Sequence, residues 1–195
     1  LVLREEMLQS PSSDTLAAEI RVQFERLKGT AAAYPYAREY AVLLHNLGRA
    51  EEAIRVLDQE LANTRSGYGS REREQLFLLK GMILGADSLG GRAALRELVR
   101  NGQSREEMAI ALQLLARHAQ ESAELAVFLN EMIARPEAHP LLGQMYYLRS
   151  QIALANEQAD SIALAEADAR LLLEQFPGLS EITNVYRLLA YAALQ

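Results

Sequence analysis

Four pairs of small residues constrain this chain more than anything else in it: Ala41/Ala53, Gly81/Ala94, Ala111/Ala123 and Ala153/Ala165, with internal spacings of 12, 13, 12 and 12. Two antiparallel helices joined by a short turn approach closely only where their side chains are small, so a small residue needs a small partner one turn-and-return later. Large apolar residues flank these positions: Tyr40, Leu44, Ile54, Leu57 and Leu61 around the first pair, and Ile110, Leu114 and Val127 around the third. A single hairpin of this kind cannot bury its own apolar faces, so the hairpins are expected to stack.

Punctuation agrees with an all-α reading. Only 5 prolines and 11 glycines occur in 195 residues, most of them between apolar stretches of helical period. No segment alternates as a strand would. The expected helices are Leu1–Gln9, Asp14–Lys28 with Ser12, Ser13 or Asp14 as cap, Tyr34–Asn46, Ala50–Thr64, Ser70–Leu84, Arg92–Arg100 after a Gly90-Gly91 turn, Ser104–Arg117, Glu121–Ala134, Leu141–Ala155, Ser161–Gln175 and Ser180–Leu194. Ser104 with Glu107 is the clearest start signal, a capping box. About ten helices in a single domain, 1–195, result. N-terminal helices (1–33) come first, then helix pairs at 34–65, 70–101, 104–135 and 138–177, and an unpaired helix at 179–195.

The segment "YAVLLHNLGRAEEAIRVLDQEL" resembles the tetratricopeptide repeat, with Ala41, Leu44, Gly48, Ala53 and Leu57 at that family's small, large-apolar and turn positions. The stretch "LLLEQFPG" resembles the repeat end, with Pro177 in place. The resemblance covers about residues 34–177 and is degenerate: the small positions step by 40, 30 and 42, His118 replaces the turn glycine of the third unit, and the first lacks its terminal proline. It implies a right-handed superhelical solenoid whose first helices line a concave surface. On that register the surface carries Arg38, Val42 and His45, then Leu78 and Met82, then Met108 and Leu112, then Tyr147, Ser150 and Leu154. An apolar groove with methionines suits an apolar or amphipathic partner segment. Some family members clamp a terminal carboxylate with polar first-helix residues. Arg38 and Asn46 are the nearest counterparts, but Leu78 and Met82 in the next unit supply no donors, so that clamp is not expected.

Charge and residue usage narrow the function classes. The net charge is −6, without the basic stripe that displaces counterions from nucleic acid. Cysteine is absent, which removes disulfides, thiolate metal sites and Cys nucleophiles. No apolar run approaches a bilayer span. His45, His118 and His139 lack any ligand spacing and are expected at surface or capping positions. Glu5-Glu6, Glu51-Glu52 and Glu106-Glu107 are adjacent and do not face each other on a helix, and Gly85–Gly91 lacks the strand and lysine of a phosphate loop. With no nucleophile, base and orienting group to assemble, no enzyme and no cofactor are expected. Of the 20 basic residues only Lys28 and Lys80 are lysines, which points to a GC-rich bacterial genome, cytoplasm or periplasm. The expectation is a non-catalytic scaffold that binds a protein or peptide, with no direct membrane insertion. The alternatives are an accessory module of a larger envelope protein (peptidase, lipoprotein or polysaccharide-export component) and a sensor or regulatory domain. The C-terminal helix reads as a first helix lacking its second, so either the stack is expected to continue or this helix to pack on another copy.

Overall fold

The computed structural model describes residues 14–63, 67–118, 123–156 and 158–194. Among them are ten α-helices and no strand: α1 (Asp14–Leu27), α2 (Tyr34–Asn46), α3 (Ala50–Ala62), α4 (Ser70–Leu84), α5 (Leu89–Asn101), α6 (Arg105–His118), α7 (Ala123–Ile133), α8 (Leu142–Ala155), α9 (Ala159–Gln175) and α10 (Ile182–Ala192). A short 3-10 turn, Ala31–Ala33, precedes α2. The helix expected at Leu1–Gln9 lies outside the described residues. The fold is all-α and of solenoid type, with successive helices packed on one another from α1 to α5 and from α7 to α10. The chain divides into two compact units, residues 1–112 and 113–195. The division falls inside α6 rather than between hairpins.

In the first unit, α1 packs on α2, α2 on α3, α3 on α4 and α4 on α5. One buried cluster runs from Ile20 and Phe24 on α1 through Tyr40, Ala41 and Leu44 on α2 to Leu57 on α3 and Leu76 on α4. Ala41 and Ala53 are both fully buried, as the small-pair argument requires. Between them Gly48 adopts a positive φ of 77°, and the Arg49 N–H reaches back to the Leu44 carbonyl at 2.8 Å, a C-terminal stop that only glycine enters without strain. Gly81 and Ala94 are also buried, and a Cβ on Gly81 would lie 2.6 Å from a Leu95 methyl.

Helix α5 starts three residues earlier than the sequence suggests. Gly90 and Gly91 do not form the turn. They sit in the first helical turn, and the Ser88 hydroxyl accepts from the Gly91 N–H at 2.9 Å. Gly91 is a glycine because of crowding: a Cβ there would fall 1.8 Å from the Gly85 carbonyl oxygen.

In the second unit, α8 is the central element. It packs on α7, α9 and α10 and buries residues nearly all round, including Met145, Ser150, Ile152 and Leu154. Ala153 and Ala165 are buried in the α8–α9 hairpin. The pair Ala111/Ala123 departs from expectation. Ala111 is buried, but Ala123 opens α7 and is exposed. The reason is register: α7 buries Leu125, Phe128, Leu129 and Met132, a stripe of helical period that leaves Ala123 off the packed face. Ile110 and Val127, expected to fill that contact, are exposed as well.

Candidate partner-binding surface

The ten residues assigned to a concave surface divide sharply. Arg38, His45 and Met82 are exposed, and Val42 and Tyr147 are half-buried. Leu78, Met108, Leu112, Ser150 and Leu154 are buried and offer no surface to a ligand. The cause is visible in the spacing. Met108, Ala111, Leu112 and Leu115 form one i, i+3, i+4, i+7 stripe, all of it buried. Ser150, Ala153 and Leu154 repeat the pattern on α8, where the buried Ser150 hydroxyl is satisfied by the Tyr147 carbonyl at 2.7 Å. Residues adjacent to a small inward-facing position on the same stripe are themselves inward.

The structure instead opens a groove of about 500 Å³ along α1, a feature the sequence reading did not anticipate. Asp14, Ala18, Arg21, Val22 and Glu25 line one side, with Ala17 and Tyr40 at the floor and Arg49 at the far edge. Helix α1 has two stripes. Leu16, Ala17, Ile20 and Phe24 go into the core, while Asp14, Ala18, Arg21, Val22 and Glu25 follow the same period on the other face. Val22 stands 63% exposed within this second stripe. That valine among charged neighbours was the available signal. Arg49 is committed to Glu52 by two hydrogen bonds, at 2.7 and 2.8 Å, and lies 3.8 Å from Asp14, which fixes the groove edge. Other exposed apolar side chains include Met82, Leu89 and Ile110 in the first unit, and Val127, Leu164, Tyr186, Tyr191 and Leu194 in the second.

Behind the surface, polar groups are engaged in holding elements together. Glu107 accepts from Gln75 at 2.8 Å, from Arg71 at 3.2 Å and from the Ser104 hydroxyl, and Tyr34 donates to Gln75. Burial alone would raise the Glu107 carboxyl. The hydrogen bonds from Ser104, Gln75, its own backbone N–H and Arg71 outweigh that and hold it at about 2. The expected capping box is thereby altered. The Ser104 backbone N–H donates not to Glu107 but to Glu74, a buried carboxylate on α4 that also takes the Gln103 N–H, both at 2.8 Å. One glutamate of α4 thus caps the start of α6. In the second unit Arg149 grips Asp168 with both ends of its fork, at 2.8 and 2.6 Å, bonds Asn130 at 2.8 Å, and lies over the Tyr146 ring.

Of the histidines, His45 is exposed, and His139 Nδ1 accepts from the Leu141 N–H at 3.1 Å at the start of α8. Among the described residues no three or more His, Cys, Asp or Glu side chains converge as a metal site, and no helix is long and apolar enough to cross a membrane. No family model, no curated protein and no solved structure matches the chain.

Proposed function

We propose that the chain is a degenerate tetratricopeptide-like module that binds a segment of a protein partner without catalysis. The observation that carries this reading is the α1 groove. It is open, about 500 Å³ in volume, apolar at its floor and charged at its rim, and it has an exposed valine beside it. An exposed apolar side chain amid charged neighbours is the ordinary form of a contact site for a peptide that brings one or two apolar anchors. The buried registers of α6 and α8 shift the contact away from the first-helix residues. Of those in the first unit, Arg38, Val42, His45 and Met82 keep accessible surface.

A photo-crosslinking amino acid placed at position 22, at position 82 and at the polar control positions 51 and 170 tests the reading in extracts of the source cells. The expected result is a discrete protein adduct at position 22 that disappears when Ala18→Glu is added to the same chain. Adducts no more frequent at 22 and 82 than at 51 and 170 overturn it.

A further inference from the structure

Asn101-Gly102 is the sequence at which an asparagine most readily converts itself to an acid, because glycine leaves the following backbone nitrogen unhindered. The Gly102 nitrogen loses its proton to water and attacks Cγ of Asn101. The Cγ–Nδ2 bond breaks, ammonia departs, and a five-membered succinimide closes. Water then opens either carbonyl, giving aspartate or isoaspartate. The sum is one water consumed and one ammonia released, with no oxidation or reduction.

Each requirement of that attack is opposed in the fold. The nucleophile is engaged: the Gly102 N–H donates to the Leu98 carbonyl at 2.8 Å. The electrophile is tethered: Asn101 Nδ2 donates to Glu97 Oε1 at 2.6 Å, one turn back along α5 and away from the Gly102 nitrogen. Asn101 is the last residue of α5, and a helical ψ is not the ψ that ring closure demands. On one side Gly102 is closely packed, since a Cβ there would meet the Leu98 oxygen at 2.6 Å and Met108 Cγ at 2.8 Å, while Asn101 and Gln103 are exposed beside a cavity of about 190 Å³. The next two N–H groups are held by buried Glu74.

We propose that Asn101-Gly102 is a deamidation site gated by the fold. It is silent while the end of α5 is closed and reacts when that end opens. The product does not close again as the asparagine did. A carboxylate at position 101 loses the bond to Glu97, faces that like charge one turn away, and stands at the C-terminal end of α5 where the helix dipole disfavours it. Isoaspartate adds a methylene to the backbone and so shifts the Gly102 N–H from the Leu98 carbonyl and the next two N–H groups from Glu74. Opening therefore leaves a permanent mark at the junction of α5 and α6.

Peptide mapping by mass spectrometry after incubation at mildly alkaline pH tests this. The full chain is kept native in one arm and in concentrated urea in the other. Native conversion at position 101 is expected to be slower than the urea rate by about tenfold or more, as for any reaction that passes through a local opening. Glu97→Ala, which cuts an exposed tether without touching the core, is expected to raise the native rate toward the urea rate. Equal rates in native protein and urea overturn the gate. A urea rate no higher than at Asn46, Asn156 or Asn184, none of which precedes glycine, overturns the site. For the product, Asn101→Asp is expected to melt below the parent and to recover part of the loss in the Glu97→Gln background. A melting temperature equal to the parent's overturns the permanent mark.

Discussion

Gly91 and Met108 show how narrowly single positions in the first unit are specified. A methyl on Gly91 would sit 1.8 Å from the Gly85 carbonyl oxygen, which is backbone and cannot rotate aside. Gly91→Ala is therefore expected to destabilise by about 2 to 4 kcal/mol, the range of a core overpacking that moves main chain. Gly178, with nothing within 4 Å of its Cβ position, is the control, and Gly178→Ala is expected to stay within about 0.5 kcal/mol. Chemical denaturation of the two variants checks the pair, and equal effects would sink the argument. Met82 and Met108 give a second contrast, being 54% and 0% exposed. Met108→Glu places a charge where it has no partner, and a loss on the order of 4 kcal/mol or more is expected. Met82→Glu is expected to leave the circular-dichroism melt within a few degrees of the parent.

The junction between α5 and α6 is set by two carboxylates, Glu107, which a local capping pattern announces, and Glu74, which none does. Glu107 is held at about 2 against an ordinary 4.5. Its folded form binds the proton less readily than its unfolded form, so its contribution is complete above pH 4.5 and is lost as pH falls towards 2. Urea midpoints taken across that window should fall less steeply for Glu107→Gln than for the parent, because the variant has no proton to gain there. Parallel curves would show that the network around Glu107 does not hold its charge as described. The same junction shows what was legible in the sequence. Helix number, most boundaries and three of the four hairpin contacts followed from small residues, caps and glycines, all of them local signals. Ser104 was readable as a cap, but Glu74, thirty residues earlier, was not, because its role exists only once α4 lies beside the start of α6. The surface was misjudged for a related reason. A family register assigns one face of each first helix to the outside, whereas Met108 and Leu112 share the stripe of Ala111 and follow it inward. Val22 was missed because, although a valine in a charged stripe is visible in the sequence, the groove beside it exists only once α1 lies against Tyr40 and Arg49.

At the scale of the whole chain, what matters is how far a perturbation spreads. Each unit carries its own buried clusters, and the packing runs between consecutive helices. Stability in such a chain is approximately a sum of local terms and neighbour interfaces, so opening is expected to be regional before it is global. The Arg149–Asp168 pair is a suitable place to ask. Their side chains are 16% and 4% exposed, and the pair bridges α8 to α9 in the second unit. Asp168→Ala leaves a nearly buried guanidinium without its carboxylate, which costs about 3 to 5 kcal/mol where such pairs are broken from one side. Replacing both partners by apolar residues of similar volume is expected to cost much less, since the desolvation of both charges disappears together. Native-state hydrogen exchange reads the geography. In Asp168→Ala the amides of α8, α9 and α10 should lose protection, while those of α2 and α3 should keep theirs until denaturant unfolds the chain as a whole. A uniform loss from α2 to α10 would mean that the chain opens as one cooperative body. Neighbour packing would then not limit how strain travels through it.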